Sequence, residues 1–249
     1  MSDFVFWLTP WEPSFILASL FAAAAVQYGV HARAPLWRQV CFWSGLLLLY
    51  AGLHTGLDYY GEHMFFVHRL QHLGLHHLAP ILIAMSRPGD VFKGLRDVQN
   101  RLTVLNHPVV APLLFSTVFV LWLVPSVHTF AMLDEHIYRL MNYSVALNGL
   151  MFWSTVLNGK ASAPIRIAMV VAAMPVQIIM GLILVTASYD LYPLYELCGR
   201  AWSIAALDDQ KLGGLILWLP GVMMNTVVIA IVGARMVFAA RPAGTLRNS

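Results

Sequence analysis

Four of the chain's ten histidines fall within one stretch of ten residues, HRLQHLGLHH, which runs from His68 to His77. Residues four apart on an α-helix share one face, so His68, His72 and His76 are predicted to form a single stripe. Imidazole is the commonest metal ligand in proteins, and two histidines at i and i+4 can bind one ion. The spacing therefore predicts a metal site, while His77 points about 140° away from His72.

A second polar stripe lies on the preceding apolar segment, where His54 and Asp58 are also four residues apart. The connection between the two segments is short, so we expect their helices to be antiparallel neighbours. Two facing stripes describe a pocket. The predicted ligands are His68, His72, His76 and His54, and the candidate accessory residues are Asp58, Met64, His128, His136, Asp209 and Gln210.

The ligand types indicate which metal this pocket would hold. The two cysteines, Cys41 and Cys198, form no CxxC motif and lie away from the histidines. A nitrogen-rich site with an optional thioether, here Met64, suits copper, with zinc the less favoured choice.

The composition places these histidines in a membrane. Hydrophobic residues make up 59% of the 249 residues and charged residues only 11%, and the mean hydropathy is +0.69. A helix of roughly 20 apolar residues crosses the hydrocarbon core. We predict an all-α, polytopic bundle that forms a single domain over residues 1–249. Its seven spans are expected at residues 14–30, 38–57, 64–85, 109–124, 140–157, 165–188 and 213–239.

Basic residues alternate between the predicted loops and set an orientation. Cytoplasmic loops are enriched in Lys and Arg, which places the N-terminus outside and the C-terminus in the cytoplasm. The polar segment from Asp190 to Leu212 is predicted to fold back over the outer face. Eleven of the 15 basic residues fall on the predicted cytoplasmic side: Arg33, Arg38, Arg87, Lys93, Arg96, Arg101, Lys160, Arg166, Arg235, Arg241 and Arg247.

This orientation brings eight of the ten histidines to the outer side. Ionisable groups inside a membrane are costly and mark functional sites by default. Hydrogen bonding of histidines between helices is the competing structural explanation. For Arg69, we expect the side chain to extend to the membrane surface or to pair with an acidic residue at the outer end.

Two other functions fit parts of the pattern. HLGLHH reads as HxxxHH, a box typical of membrane di-iron hydroxylases and desaturases, although such enzymes need several boxes. A heme-b electron carrier would use one histidine from each of two helices as axial ligands.

Three stretches resemble the membrane-embedded CtaG family of bacterial cytochrome c oxidase assembly factors: FFVHRLQHLGLHHLAPILIAMSRP, NGLMFWSTVLNG and DQKLGGLILWLPG. The resemblance implies a seven-helix inner-membrane protein linked to copper-site formation. It places the family's HxxxH pair on His68 and His72, and its Asp–Gln pair on Asp209 and Gln210. The chain departs from the family pattern where it has Trp122–Leu123 and Met141–Asn142 in place of a Trp–His and a Glu–His pair.

The pattern and the resemblance together predict a non-enzymatic, multi-pass protein of the bacterial inner membrane. It would take copper from the periplasm, with a periplasmic copper donor protein as a candidate partner, and pass it to the catalytic subunit of a heme-copper oxidase. The lipid bilayer is a further expected partner, and nucleic acid is not.

Overall fold

A computed structural model describes residues 9, 10, 13–92, 94, 97 and 101–240. It is 80% helical, and no strand occurs among the residues it describes, which confirms the predicted all-α class. The described α-helices are α1 (Phe15–His31), α2 (Leu36–His54), α3 (Gly56–His63), α4 (Phe65–Leu73), α5 (Ala79–Ser86), α6 (Val110–Leu121), α7 (Pro125–Met132), α8 (Glu135–Asn158), α9 (Ala163–Thr186), α10 (Leu194–Cys198) and α11 (Ala206–Ala240).

Apolar helices indicate a membrane protein. Two of the described helices, α9 and the part of α11 from Ala206 to Ala239, are long and apolar enough to cross a bilayer by themselves. The bent pair α6 and α7 supplies a third candidate if it is counted as one span. The seven predicted spans and the orientation of the termini therefore remain predictions.

The histidine-rich segment is a broken helix. One π-helical turn, Gly74–Leu78, separates α4 from α5. A π turn inserts an extra residue into the helical repeat and is frequent at functional sites. His76 lies within this turn, so the regular four-residue spacing from His72 no longer fixes the direction of its ring.

Helix α8 packs closely against this π turn. A Cβ atom on Gly149 would lie 2.5 Å from the carbonyl oxygen of His76, so only glycine permits the approach. The indole N–H of Trp153 donates to the same carbonyl oxygen at 2.9 Å. Gly149 and Trp153 together fix the position of the backbone at His76 and His77 against α8.

Small residues also bring α9 and α11 together. A Cβ on Gly214 would lie 2.9 Å from the carbonyl oxygen of Gly181, and a Cβ on Gly181 would lie 2.9 Å from that of Gly214. Such mutual contacts allow helix backbones to approach closely in membrane proteins.

The polar segment before α11 packs on the predicted outer end of the bundle. Tyr192 and Tyr195 are almost fully buried there, and Tyr192 donates its hydroxyl to the carbonyl oxygen of Leu123 at 2.6 Å. The last long helix starts at Ala206, seven residues before the predicted start at Gly213. Asp209 and Gln210 therefore lie inside α11 and not in a loop.

Candidate metal site

His68 lies at the centre of a cluster of three histidines. Its side chain is fully buried, and neither ring nitrogen makes a hydrogen bond of good geometry, although the backbone of Gly61 interacts with the ring. The ring centroid is 4.3 Å from that of His72 and 5.0 Å from that of His128. Buried polar atoms are nearly always paired, so two unpaired nitrogens on one ring call for an explanation.

A polar network holds His72. Its Nε2 lies 3.0 Å from the Oδ1 of Asn142, whose amide nitrogen donates to Asp58 at 3.5 Å. The same carboxylate oxygen of Asp58 accepts from Gln71 at 2.6 Å and from the Tyr138 hydroxyl at 2.7 Å. With the Asn142 amide assigned this way, His72 carries its proton on Nε2. Its Nδ1 is therefore the nitrogen with a lone pair for a ligand.

His128 is held in the opposite tautomer. Its Nδ1 lies 3.2 Å from the carbonyl oxygen of Trp122, which can only accept, so the proton is on Nδ1. Its Nε2 lies 3.0 Å from the hydroxyl oxygen of Tyr195 and accepts from it. The sequence predicts His128 as an accessory residue in an outer loop. It is fully buried because α7 begins at Pro125 and bends 69° from α6.

The three imidazoles have the donor chemistry of a copper site. Their ligand geometry is not assembled, however, because no group of three or more His, Cys, Asp or Glu side chains among the described residues is placed to hold a metal ion. Binding would require the rings to rotate and the Tyr195 hydroxyl to leave His128.

The other predicted ligands lie elsewhere. His76 stacks on Phe115, with 3.9 Å between ring centroids, and its Nε2 lies 3.0 Å from the Oδ1 of Asn148. His54 accepts the backbone N–H of Ser14 at 2.8 Å. It lines a pocket of about 10 Å³ with Asp58 and Asn142, so this pocket reaches the network behind His72.

The accessory candidates also lie in different parts of the structure. Met64 is fully buried immediately before α4, whereas His136 is exposed near the start of α8. His77, which sequence reasoning set aside, is buried and pairs with Gln177 on α9. A cavity of about 10 Å³ lies between His72, His76, His77 and Gln177.

Asp209 fixes the start of the histidine helix. Its two carboxylate oxygens accept the backbone N–H groups of Phe65 at 3.0 Å and Phe66 at 2.7 Å, so it caps α4 from another helix. It also pairs with Arg200. Burial acts to lower the pKa of Arg200, but Glu196 and Asp209 outweigh that effect and raise it.

Gln210 ties the outer segment to α11. Its Oε1 accepts the backbone N–H of Leu191 at 2.7 Å, and its Nε2 donates to the carbonyl oxygen of Leu184 at 3.2 Å. The Asp–Gln pair thus positions backbone and contributes no atom to the histidine cluster.

Arg69 does not reach the surface. Its side chain is 1% exposed and lies with its guanidinium carbon 5.0 Å from the centroid of the Phe65 ring. The prediction that it extends to the interface or pairs with an acidic residue is wrong, since no ion pair of Arg69 occurs among the described residues.

The fold and the cluster define an all-helical membrane protein in which three of the buried imidazoles, His68, His72 and His128, lie together. Residues 19–238 match the family described as cytochrome c oxidase caa3 assembly factor (Caa3_CtaG), and the chain belongs to this family. The resemblance noted in the sequence is thereby confirmed.

Curated relatives occur in mycobacteria, and each is described as an uncharacterized protein. Proteins of Mycobacterium bovis and Mycobacterium tuberculosis are each 25% identical over 263 residues, which cover 90% of this chain and 39% of theirs. A Mycobacterium leprae protein is 26% identical over 226 residues, covering 79% of this chain and 34% of its own. The chain thus spans about two fifths of the length of these relatives. No solved structure matches it.

Proposed function

We propose that this protein binds copper at His68, His72 and His128 and passes it to the catalytic subunit of a heme-copper cytochrome c oxidase. The observation that carries the proposal is the fully buried His68 ring with two unpaired nitrogens between two further imidazoles. Membership of an oxidase assembly family supports the destination of the metal.

The surroundings of the cluster favour transfer over permanent storage. His72 uses one ring nitrogen on Asn142 and keeps the other for a ligand, whereas both ring nitrogens of His128 are engaged by the protein. The Tyr195 hydroxyl occupies Nε2 of His128 until an ion displaces it. Neutral imidazoles that change partner in this way suit cargo that must leave again, and copper fits the nitrogen donors better than zinc.

The proposed route starts at the predicted outer end. The pocket lined by His54, Asp58 and Asn142 leads to the network that orients His72. In the bacterial inner membrane, with the predicted orientation, this pocket would face the periplasm and a copper donor protein. The proposed role is non-catalytic, because the site offers ligands for cargo and needs no bond-making step.

A complementation experiment tests this role. A strain lacking the gene would receive the wild type, a His68→Ala/His72→Ala double variant or a His136→Ala control at equal membrane levels. We expect all strains to make the oxidase polypeptide, and the double variant alone to leave the oxidase without copper and inactive. Full copper-dependent oxidase activity in the double variant under copper limitation would overturn the proposal.

The other two functions predict different spectra. A heme-b carrier purified in detergent would show a Soret band, and a di-iron enzyme would retain iron. We expect neither in the purified protein.

A further inference from the structure

Arg69 is a buried cation beside the histidine cluster. It follows His68 on α4, and its guanidinium lies over the Phe65 ring, whose centroid is 6.1 Å from that of His128. Its aliphatic part packs against α11 at Gly213. A Cβ atom on that glycine would lie 3.1 Å from the Cγ of Arg69. The side chain is thus held in place and turned into the bundle.

One edge of this guanidinium is unused. Nε and Nη2 are both buried and have no hydrogen-bond partner. These two N–H groups form the side of the guanidinium that donates two parallel hydrogen bonds to a carboxylate. A buried charge without a partner is strongly unfavourable, so the edge implies a ligand that completes it.

The aromatic groups around Arg69 do not supply that partner. Tyr192 and Tyr195 direct their hydroxyl hydrogens to Leu123 and His128, and neither hydroxyl oxygen accepts from Nε or Nη2 of Arg69. Phe65 offers only its ring face. Asp209, the buried carboxylate at the start of the same helix, is engaged by Arg200 and two backbone N–H groups.

The unpaired charge also conflicts with metal binding. A copper ion at His68 would add positive charge next to an existing cation in a medium of low dielectric constant. An anion bound between them would reverse the sign of this interaction. Anion and metal would then favour each other's binding, since such coupling is reciprocal.

We propose that Arg69 binds a small carboxylate through Nε and Nη2, and that this anion promotes copper binding at the neighbouring histidines. The first half stands on Arg69 alone, whereas the second half rests on the proposed function. Formate is the smallest carboxylate and serves as the probe for this enclosed position.

The test uses purified, metal-free protein in chloride-free buffer. Formate is titrated while the thermal unfolding midpoint is recorded, and ¹³C-labelled formate is followed by infrared difference spectroscopy. The variant is Arg69→Met, which keeps the length of the stem without the charge. Arg69→Lys keeps the charge without the bidentate edge, and Arg87→Met, at a half-exposed arginine that pairs with Asp90, is the matched control.

We expect formate to raise the unfolding midpoint of the wild type and of Arg87→Met saturably, to shift the carboxylate stretch, and to have a weaker effect on Arg69→Lys. Arg69→Met should show no response. If Arg69→Met does not fold, comparing the infrared shift of formate in the wild type with that in Arg69→Lys still tests the proposal. Wild type without a saturable formate response, or an equal response in the Arg69 variants, overturns the proposal.

Copper binding is measured separately, with and without formate. We expect formate to tighten Cu(I) binding to the wild type by about tenfold, as typical coupling energies allow, and to leave Arg69→Met unchanged. Formate binding without copper binding would contradict the proposed function and keep the carboxylate site. Copper binding that is unaffected by bound formate would overturn the coupling between the two sites and leave the proposed function standing.

Discussion

Asp209 accepts the backbone N–H of Phe66 at 2.7 Å, although the two residues are 143 positions apart in the chain. The contact makes a residue of the last helix the cap of the helix that carries His68 and His72. It explains why a motif distant from the histidines accompanies them: the motif sets their position and leaves the ligand role to the imidazoles.

Replacing Asp209 by Ala should therefore disturb the cluster as well as the fold. Losing an N-cap costs about 0.5–2 kcal/mol, and Arg200 would lose a buried partner in addition. We expect a lower thermal unfolding midpoint and weaker copper binding. Asp208→Ala is the control, because the neighbouring carboxylate is exposed. Equal stability and copper affinity of the two variants would contradict the capping role.

Tyr195→Phe should strengthen copper binding. The substitution removes the hydroxyl that occupies Nε2 of His128. A hydrogen bond of this kind contributes about 0.5–1.5 kcal/mol, so the affinity should rise by roughly two- to tenfold. Tyr192→Phe is the matched control, since that hydroxyl donates to a backbone carbonyl. A competition titration with a Cu(I) chelator measures the difference, and unchanged or weaker binding by Tyr195→Phe would argue against His128 as a ligand.

His76→Ala should lower the stability of the fold and leave copper binding unchanged. His76 lies against Phe115 and is paired with the buried amide of Asn148. Its removal leaves that amide unpaired and a hole in the bundle, at a cost of about 1–3 kcal/mol. Metal analysis after purification should give the wild-type copper content together with a reduced unfolding midpoint. Loss of copper in a folded His76→Ala protein would instead favour a stripe of three ligands on one helix face.

The close approach of α8 to the π turn gives a steric prediction. In Gly149→Ala the new methyl group would meet backbone atoms of His76, which cannot turn aside, and overpacking typically costs about 1–3 kcal/mol. In Gly233→Ala it would meet open space, and the better helix propensity of alanine should leave stability equal or higher. Thermal unfolding of both variants checks this, and equal tolerance would show that α8 does not fix the turn.

Periodicity predicted the right class of fold and the pairing of His68 with His72, because both lie within one regular stretch of α4. It did not predict the surroundings of His76, since nothing in GLHHL indicates a π turn and the ring lies against Phe115 and Asn148. His128 was undervalued for a related reason. Its position depends on a bend at Pro125 that folds α7 inward. Without knowledge of this bend, the polar residues after an apolar span are predicted to form a loop.

Arg69 shows the limit of composition. A lone arginine near the end of an apolar segment usually reaches the interface, and the sequence carries no sign that Gly213 opens a place for it inside the bundle. The tautomers of His72 and His128 likewise follow from partners on other helices, Asn142 and the carbonyl of Trp122.

Copper content and coordination of the purified protein test the central claim most directly. The wild type, His68→Ala and the exposed-site control His136→Ala would be loaded with Cu(I), freed of excess metal and studied by metal analysis and X-ray absorption at the copper edge. We expect about one copper per chain with imidazole nitrogen ligands in the wild type and in His136→Ala, and loss of this copper in His68→Ala. Equal copper in His68→Ala and wild type would contradict the claim.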